Sequence, residues 1–291
     1  MKIVLVNGQP EPPERAVISV YDRGFLYGDA VFETIRTYGG RPYALDEHIA
    51  RLARSAERVF IPIPVSLGTI AAEVRQGVSL AANPESSIRV MVTRGTGPLG
   101  LDPDLAENPN RVVLVEPLDP PPRQAYQQGI GVILAHTTRA ADATPAAGAK
   151  VVNYLMSLLA LRDARRAGAS EALFVDGKGR VLEGASSNVF VVRDAELVTT
   201  PEESGILPGI TRAHLLEAAA RLDIRVTVRD LLEHDLFGAR EVFISSSVRE
   251  VLPVVRVDGR IIGTGVPGPL TRRIHAAFRA AAGAPGPPPW E

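Results

Sequence analysis

Hydrophobic residues recur along this chain with two different periods. Residues 1–6 end in the apolar run Ile3–Val6 and stop at the turn pair Asn7-Gly8, which reads as a strand. In VFETIRTY (31–38), Val31, Glu33 and Ile35 share one face and Phe32, Thr34 and Arg36 the other, a strand closing at Gly39-Gly40. DEHIARLARSAERVF (46–60) switches period. Ile49, Leu52, Ala53, Ala56 and Phe60 fall at helical spacing, with Asp46 as N-cap. SIRVMVTRG (87–95) and RVVLVEP (111–117) return to strand patterns.

Three consecutive prolines at 120–122 cannot continue a strand ladder. They place a boundary between an N-terminal domain over 1–118, a linker over 119–128 and a C-terminal domain over 129–291. The second domain is predicted to hold a strand over 130–136, a helix over 151–167 and the hairpin EALFVDGKGRVLEG, which turns at Asp176-Gly177-Lys178-Gly179. NVFVVRDAELVTTP forms a second hairpin. A helix follows Leu207-Pro208-Gly209, then come a strand over 239–247, a hairpin at Asp258-Gly259 and a last helix near 269–282. The tail GAPGPPPWE is expected to fray. The pattern is α+β, with strands flanked by helices first and a hairpin-rich half after.

Composition narrows the partners. Lys plus Arg (32) nearly balances Asp plus Glu (33), giving no electrostatic case for nucleic acid or an anionic membrane surface. Cysteine is absent, so there is no disulfide framework, thiolate nucleophile or Cys-ligated metal, and the five histidines lack metal-ligand spacing. The start has only four apolar residues in a row, short of a signal-peptide core. No stretch approaches the roughly 18 apolar residues of a membrane span. A cytoplasmic protein is expected.

One motif misleads. Gly95, Gly97 and Gly100 match G-x-G-x-x-G after a strand, and Glu116 lies where a ribose-binding acid would. That fingerprint needs a helix to seat the pyrophosphate, yet the ten residues before Arg111 contain Pro103 and Pro109. The glycines shape a loop instead.

The candidate chemistry starts at Lys150, at the head of the predicted helix 151–167. A lysine there either snorkels or does chemistry. A cation at a helix N-terminus is disfavoured by roughly 0.3–1 kcal/mol, a setting that suits a nucleophilic or Schiff-base lysine. Glu183 ends a strand before a run of small polar residues, either facing solvent or pairing with a protonated ring nitrogen. The helix beginning near Ile210-Thr211 offers either an ordinary cap or an anion seat. Ser246 and Ser247 at a strand end, and Arg51 beside the apolar stripe of 46–60, are equally ambiguous singly.

Taken in order, DRGFLYGDAVFETIR, HIARLARSA, MVTRGTG, KVVNY, EALFVDGKGRVLEGASSNVF, LPGITR and ISSSVREVLPV resemble the class IV, fold-type IV, pyridoxal-phosphate-dependent aminotransferases. That family includes branched-chain aminotransferases, D-amino-acid transaminases and aminodeoxychorismate lyases. The likeness spans residues 22 to about 254. It implies a two-domain fold, with a smaller N-terminal α/β domain and a larger, strand-rich, pseudo-barrel C-terminal domain, in a homodimer. It implies that Lys150 holds pyridoxal 5'-phosphate as a Schiff base and that Glu183 partners the pyridine nitrogen. Tyr154 would bond the phenolic oxygen, and Arg51, Ile210, Thr211 and Ser247 would hold the phosphate with Ser246 beside them.

The same likeness maps the substrate pocket to Tyr27, Phe32, Thr34, Arg89, Leu99 and Leu101. Tyr27, Phe32, Arg89 and the Leu-Gly-Leu loop resemble the branched-chain enzymes, and Leu99 and Leu101 replace the Arg-x-His carboxylate trap of D-amino-acid transaminases. Thr34, and the four positions from Lys150 to Tyr154, resemble the other two branches. The expected activity is transamination between an amino acid, branched-chain L-amino acids first, and 2-oxoglutarate. A D-amino-acid transaminase with a non-standard carboxylate site, or an aminodeoxychorismate lyase, is the alternative.

Overall fold

The structure, a computed structural model, describes residues 1–136 and 146–291. It divides into two compact units, Met1–Asp119 with Ala149–Asn153, and Pro120–Gly148 with Tyr154–Glu291. The proline run opens the second unit. Within the stretch expected as linker, Arg123–Gln128 is a helix whose Tyr126 is buried among the second unit's core residues.

The first unit is built on a six-stranded sheet ordered Gln9–Glu11, Ile3–Val6, Arg111–Pro117, Ser86–Thr93, Ala30–Tyr38, Arg41–Pro42, antiparallel throughout. Two helices, Leu45–Arg58 and Leu67–Ala81, pack on it. Their Ile49, Leu52, Ile70 and Val74 join Val31, Ile35, Ile88, Val90, Val113 and Val115 in one core. Because side chains alternate along a strand, Glu33 faces this core between Val31 and Ile35. Phe32 and Thr34 face the other side, where their cross-strand partners are Met91 and Arg89.

The second unit's sheet has ten strands among the described residues. Its path runs Val226–Val228, Glu196–Thr199, Asn188–Arg193, Glu241–Ser246, Glu250–Val257, Ile130–His136, Glu171–Val175, Arg180–Gly184, Leu231–Leu232, with Arg260–Ile261 off the path beside Glu250–Val257. Its two end strands are adjacent in the chain, joined only by Arg229-Asp230. A two-residue link spans at most about 11 Å, so the sheet must curl until the linked ends of these strands come close, the expected pseudo-barrel. Val132, Leu173, Val181, Val191, Ile244 and Leu252 fill the core within it.

Three local expectations are corrected. The helix expected from 151 begins at Leu155 and runs to Arg166. β-Branched Val151 bridges to Val31 instead, and Val152 N donates to Ala30 O at 3.1 Å. Lys150 therefore precedes an added strand edge and does not head the helix. Asp46 does not cap its helix; Ala44, at φ +48°, precedes Leu45, and Asp46 lies in the first turn where its charge suits the dipole. The C-terminal tail does not fray, since Trp290 packs on His275 with ring centroids 4.6 Å apart and Arg279 Nη2 donates to Pro285 O at 2.9 Å.

Candidate active site

In the first unit, Lys150 is half-buried and fixed through its backbone on both sides. Its N–H donates to Ser55 Oγ at 3.1 Å, and its carbonyl accepts from Phe32 N at 2.9 Å. Its Nζ lies 4.6 Å from the centroid of the Phe32 ring, a cation–π contact. Arg89 stacks on the same ring, with its guanidinium carbon 4.7 Å from the centroid.

The helix Leu45–Arg58 supplies the next layer. Its buried face pairs an apolar edge, Leu45, Ile49, Leu52 and Ala56, with a polar one, His48, Arg51 and Ser55. Arg51 is 4% exposed, unlike the exposed Arg54 and Arg58, so the solvated reading of Arg51 is excluded. Its Nε and Nη2 each donate to the Glu33 carboxylate at 2.7 Å, and His48 Nδ1 lies 2.7 Å from Glu33 Oε2. Burial alone would raise the Glu33 pKa, but Arg51 and His48 together outweigh it and hold the group at about 2. Burial keeps His48 below the usual imidazole range, against the pull of Glu33. Neutral His48 must then donate from Nδ1, because a carboxylate only accepts.

Glu33 thereby links stability to pH. Its folded pKa is depressed from 4.5 to about 2, so its contribution is present above pH 4.5 and is lost as pH falls toward 2. The amount is on the order of 3 kcal/mol. Urea unfolding between pH 5 and 2 should show this loss, and Glu33→Gln should flatten that part of the profile while lowering stability at pH 7.

The remaining pocket candidates of this unit belong to one loop system. Tyr27 ends the short helix Arg23–Tyr27, and its hydroxyl accepts from Gly100 N at 3.0 Å, while Arg23 Nη1 donates to Gly100 O at 3.0 Å. Two tethers on one glycine hold the loop and leave Leu99 and Leu101 exposed (73% and 81%). Thr34 lies on the open sheet face beside Arg89. No nucleotide-binding helix follows Gly100, only the single turn Pro103–Leu105.

In the second unit, Glu183 is nearly buried at the end of Arg180–Gly184. Three residue steps from Val181 to Gly184 face two from Val175 to Leu173, so a bulge falls at Leu182–Glu183 and re-aims the carboxylate. Glu183 Oε2 accepts from Leu207 N at 3.1 Å, joining it to the loop that leads into the helix Ile210–Arg221. That helix starts at Gly209 without a side-chain cap, and Ile210 and Thr211 are buried in its first turn. A Cβ at Gly209 would clash with Asn188 Oδ1, so a larger residue here would force that side chain to shift. Asn188 Nδ2 in turn donates to Leu207 O at 3.0 Å. Ser246 ends Glu241–Ser246, and Ser247 follows in the turn before Glu250. Tyr154 is half-buried immediately before Leu155–Arg166, in the second unit, while Lys150 belongs to the first.

The structure thus groups Lys150, Phe32, Arg89 and the Glu33–Arg51–His48 cluster in one unit. It joins Glu183 to the 207–211 segment in the other. Glu33, His48 and Ser55 were not singled out from sequence, although a carboxylate on the apolar face of a strand was a readable signal. Among the described residues no cluster of His, Cys, Asp and Glu could hold a metal ion, and no helix is long and apolar enough to cross a membrane.

Comparison with known proteins adds to this geometry. The family model for amino-transferase class IV matches residues 30–257. A protein of Methanocaldococcus jannaschii named "Putative branched-chain-amino-acid aminotransferase" is 37% identical over 279 residues, covering 96% of each chain. The D-alanine aminotransferase of Bacillus licheniformis is 32% identical over 276 residues, covering 95% of each. The crystal structure of a T.th. branched-chain amino acid aminotransferase with pyridoxamine 5'-phosphate matches with a TM-score of 0.91 at 31% identity, covering 97% of this chain and 94% of that one.

Proposed function

Because this chain belongs to the class IV aminotransferase family, we propose that it moves amino groups between branched-chain L-amino acids and 2-oxoglutarate. It is a pyridoxal-phosphate-dependent enzyme of fold type IV. Its residues fit that cofactor: a primary amine on a pinned backbone, a carboxylate re-aimed by a bulge, and a helix start without a side-chain cap behind a closely packed glycine. When bound, pyridoxal phosphate supplies an electron sink for cleavage at the substrate Cα.

The chain's own residues do the rest. Lys150 holds the aldehyde and acts as general acid and base at the substrate Cα. Glu183 keeps the pyridine nitrogen protonated, and Tyr154 hydrogen-bonds the phenolic oxygen. Arg51, the amides of Ile210 and Thr211, and Ser247 with Ser246 beside it grip the phosphate. Tyr27, Phe32, Thr34, Arg89, Leu99 and Leu101 line the substrate pocket, where Arg89 meets a carboxylate and the apolar side chains receive an aliphatic one. The observation that carries this reading is the placement of Lys150, fixed by two backbone hydrogen bonds with its ammonium on the Phe32 face.

A second reading, a D-amino-acid transaminase, is favoured by the likeness to D-alanine aminotransferase. Loss of the bound cofactor's absorbance on adding L-leucine, D-alanine or D-glutamate chooses between them. L-Leucine should react at least about tenfold faster. No response to L-leucine with a fast response to either D-amino acid would establish the second reading instead.

We place the protein in the cytoplasm as a homodimer. The dimer is supported by Leu155, Met156, Leu158 and Leu159, four exposed apolar residues within the first five positions of one helix. Sedimentation should give twice the chain mass of 31.1 kDa, and Leu158→Glu should shift the protein toward monomer.

A further inference from the structure

Glu171 opens the strand Glu171–Val175 and is fully buried, yet none of the roles above uses it. Its Oε1 accepts from Ala172 N at 3.0 Å. Its Oε2 accepts from Arg249 Nη1 at 2.6 Å and from the hydroxyls of Ser187 and Ser186 at 3.3 and 3.4 Å. Arg249 Nη1 also donates to Ser186 Oγ at 2.9 Å.

These contacts brace two segments that leave the sheet side by side, since Asn188–Arg193 pairs with Glu241–Ser246 and Asn188 stands opposite Ser245. Ser186 and Ser187 belong to the loop after Glu183, closed by Gly184 N donating to Ser187 O at 2.6 Å. Arg249 stands two residues after Ser247, in the turn between Glu241–Ser246 and Glu250–Val257. In the sheet, Ile130–His136 separates the strand of Glu171 from the one that Arg249 precedes. The ion pair spans that strand. The turn is braced again where Tyr126 Oη donates to Arg249 O at 3.0 Å.

We propose that Glu171 is a positioning residue which, through Arg249, braces the loop of Glu183 against the turn of Ser246 and Ser247 beyond the point where the Asn188–Ser245 pairing ends. This rests on the assignment of those residues to the cofactor's ring nitrogen and phosphate. The two groups sit on one rigid aromatic frame, so their holders must keep a fixed spacing, and an error of about 1 Å is felt in binding. A buried carboxylate with a charged partner is a stiff spacer because either partner alone is left desolvated.

The test uses the full-length protein loaded with pyridoxal phosphate, as wild type, Glu171→Gln, Arg249→Gln, Arg249→Lys and the double variant Glu171→Gln/Arg249→Gln. Cofactor release after dilution is followed by absorbance, and the bound phosphate by 31P NMR. Each Gln single variant should release cofactor roughly 10–100-fold faster, with a broadened or displaced phosphate resonance. The double variant should be no worse than the singles, and Arg249→Lys should recover part of the loss. Arg249 is partly exposed, so its variants carry the test if Glu171→Gln fails to fold. Unchanged release and resonance, or losses that multiply in the double variant, overturn this inference alone. A wild-type protein that takes up no cofactor overturns the functional reading with it.

Discussion

Lys150→Ala protein should purify colourless, take up pyridoxal phosphate only weakly, and transaminate at least about 10⁴-fold more slowly than wild type. Two losses combine in that figure. The cofactor loses its covalent tether, and the substrate loses the base that takes the proton from its Cα and returns it. The fold should survive, because the hydrogen bonds that fix position 150 come from its backbone, to Ser55 Oγ and from Phe32 N. The contact of Nζ with the Phe32 ring is lost with the side chain. Absorbance spectra, circular dichroism and activity measured on one preparation separate these effects. A yellow, active Lys150→Ala protein would contradict the assignment.

Glu183→Gln should keep the shape of the strand end while removing a charge, and should lower turnover by roughly 10²–10³-fold. Glutamine retains an oxygen that can accept from Leu207 N, the bond Glu183 now makes at 3.1 Å, so the loop into Ile210–Arg221 should stay in place. What it lacks is the negative charge that keeps a pyridine nitrogen protonated. The loss should therefore fall on the rate of the half-reaction, measured in single turnovers, and much less on cofactor affinity. A variant whose affinity collapses while its half-reaction keeps wild-type speed would show that Glu183 is only a bracket for the loop.

Much of the architecture is readable in the residue pattern, and the exceptions have physical causes. Strict alternation in 31–38 placed Glu33 on the apolar face, and the structure pairs it there with Arg51 and His48. The pattern alone does not supply that pairing, since the partners lie 15 and 18 residues away and meet it only when the helix Leu45–Arg58 packs on the sheet. The helix Leu67–Ala81 was not among the predicted elements. Gly68 and Gly77 dilute its pattern, but Ser66 caps it by accepting from Thr69 N, and at Gly77 a Cβ would come within 3.1 Å of Val115 and Leu5. The apolar run after Lys150 reads as one helix because Val151 and Val152 extend the pattern, whereas strand pairing with Ala30–Val31 claims them first.

The site motifs behave the same way. Glu183, the glycine before Ile210 and the serines at 246–247 stand out because each sits where a strand or helix ends. The network behind them, Glu171 with Arg249, is invisible in one dimension. Its members are 78 positions apart and carry no spacing rule.

The most direct test of the account is to reduce the purified, cofactor-loaded protein with borohydride, digest it and map the pyridoxyl group by mass spectrometry. One modified peptide is expected, with the mark on the side-chain nitrogen of Lys150. A mark on Lys2 or Lys178, or no mark on any lysine, would contradict it.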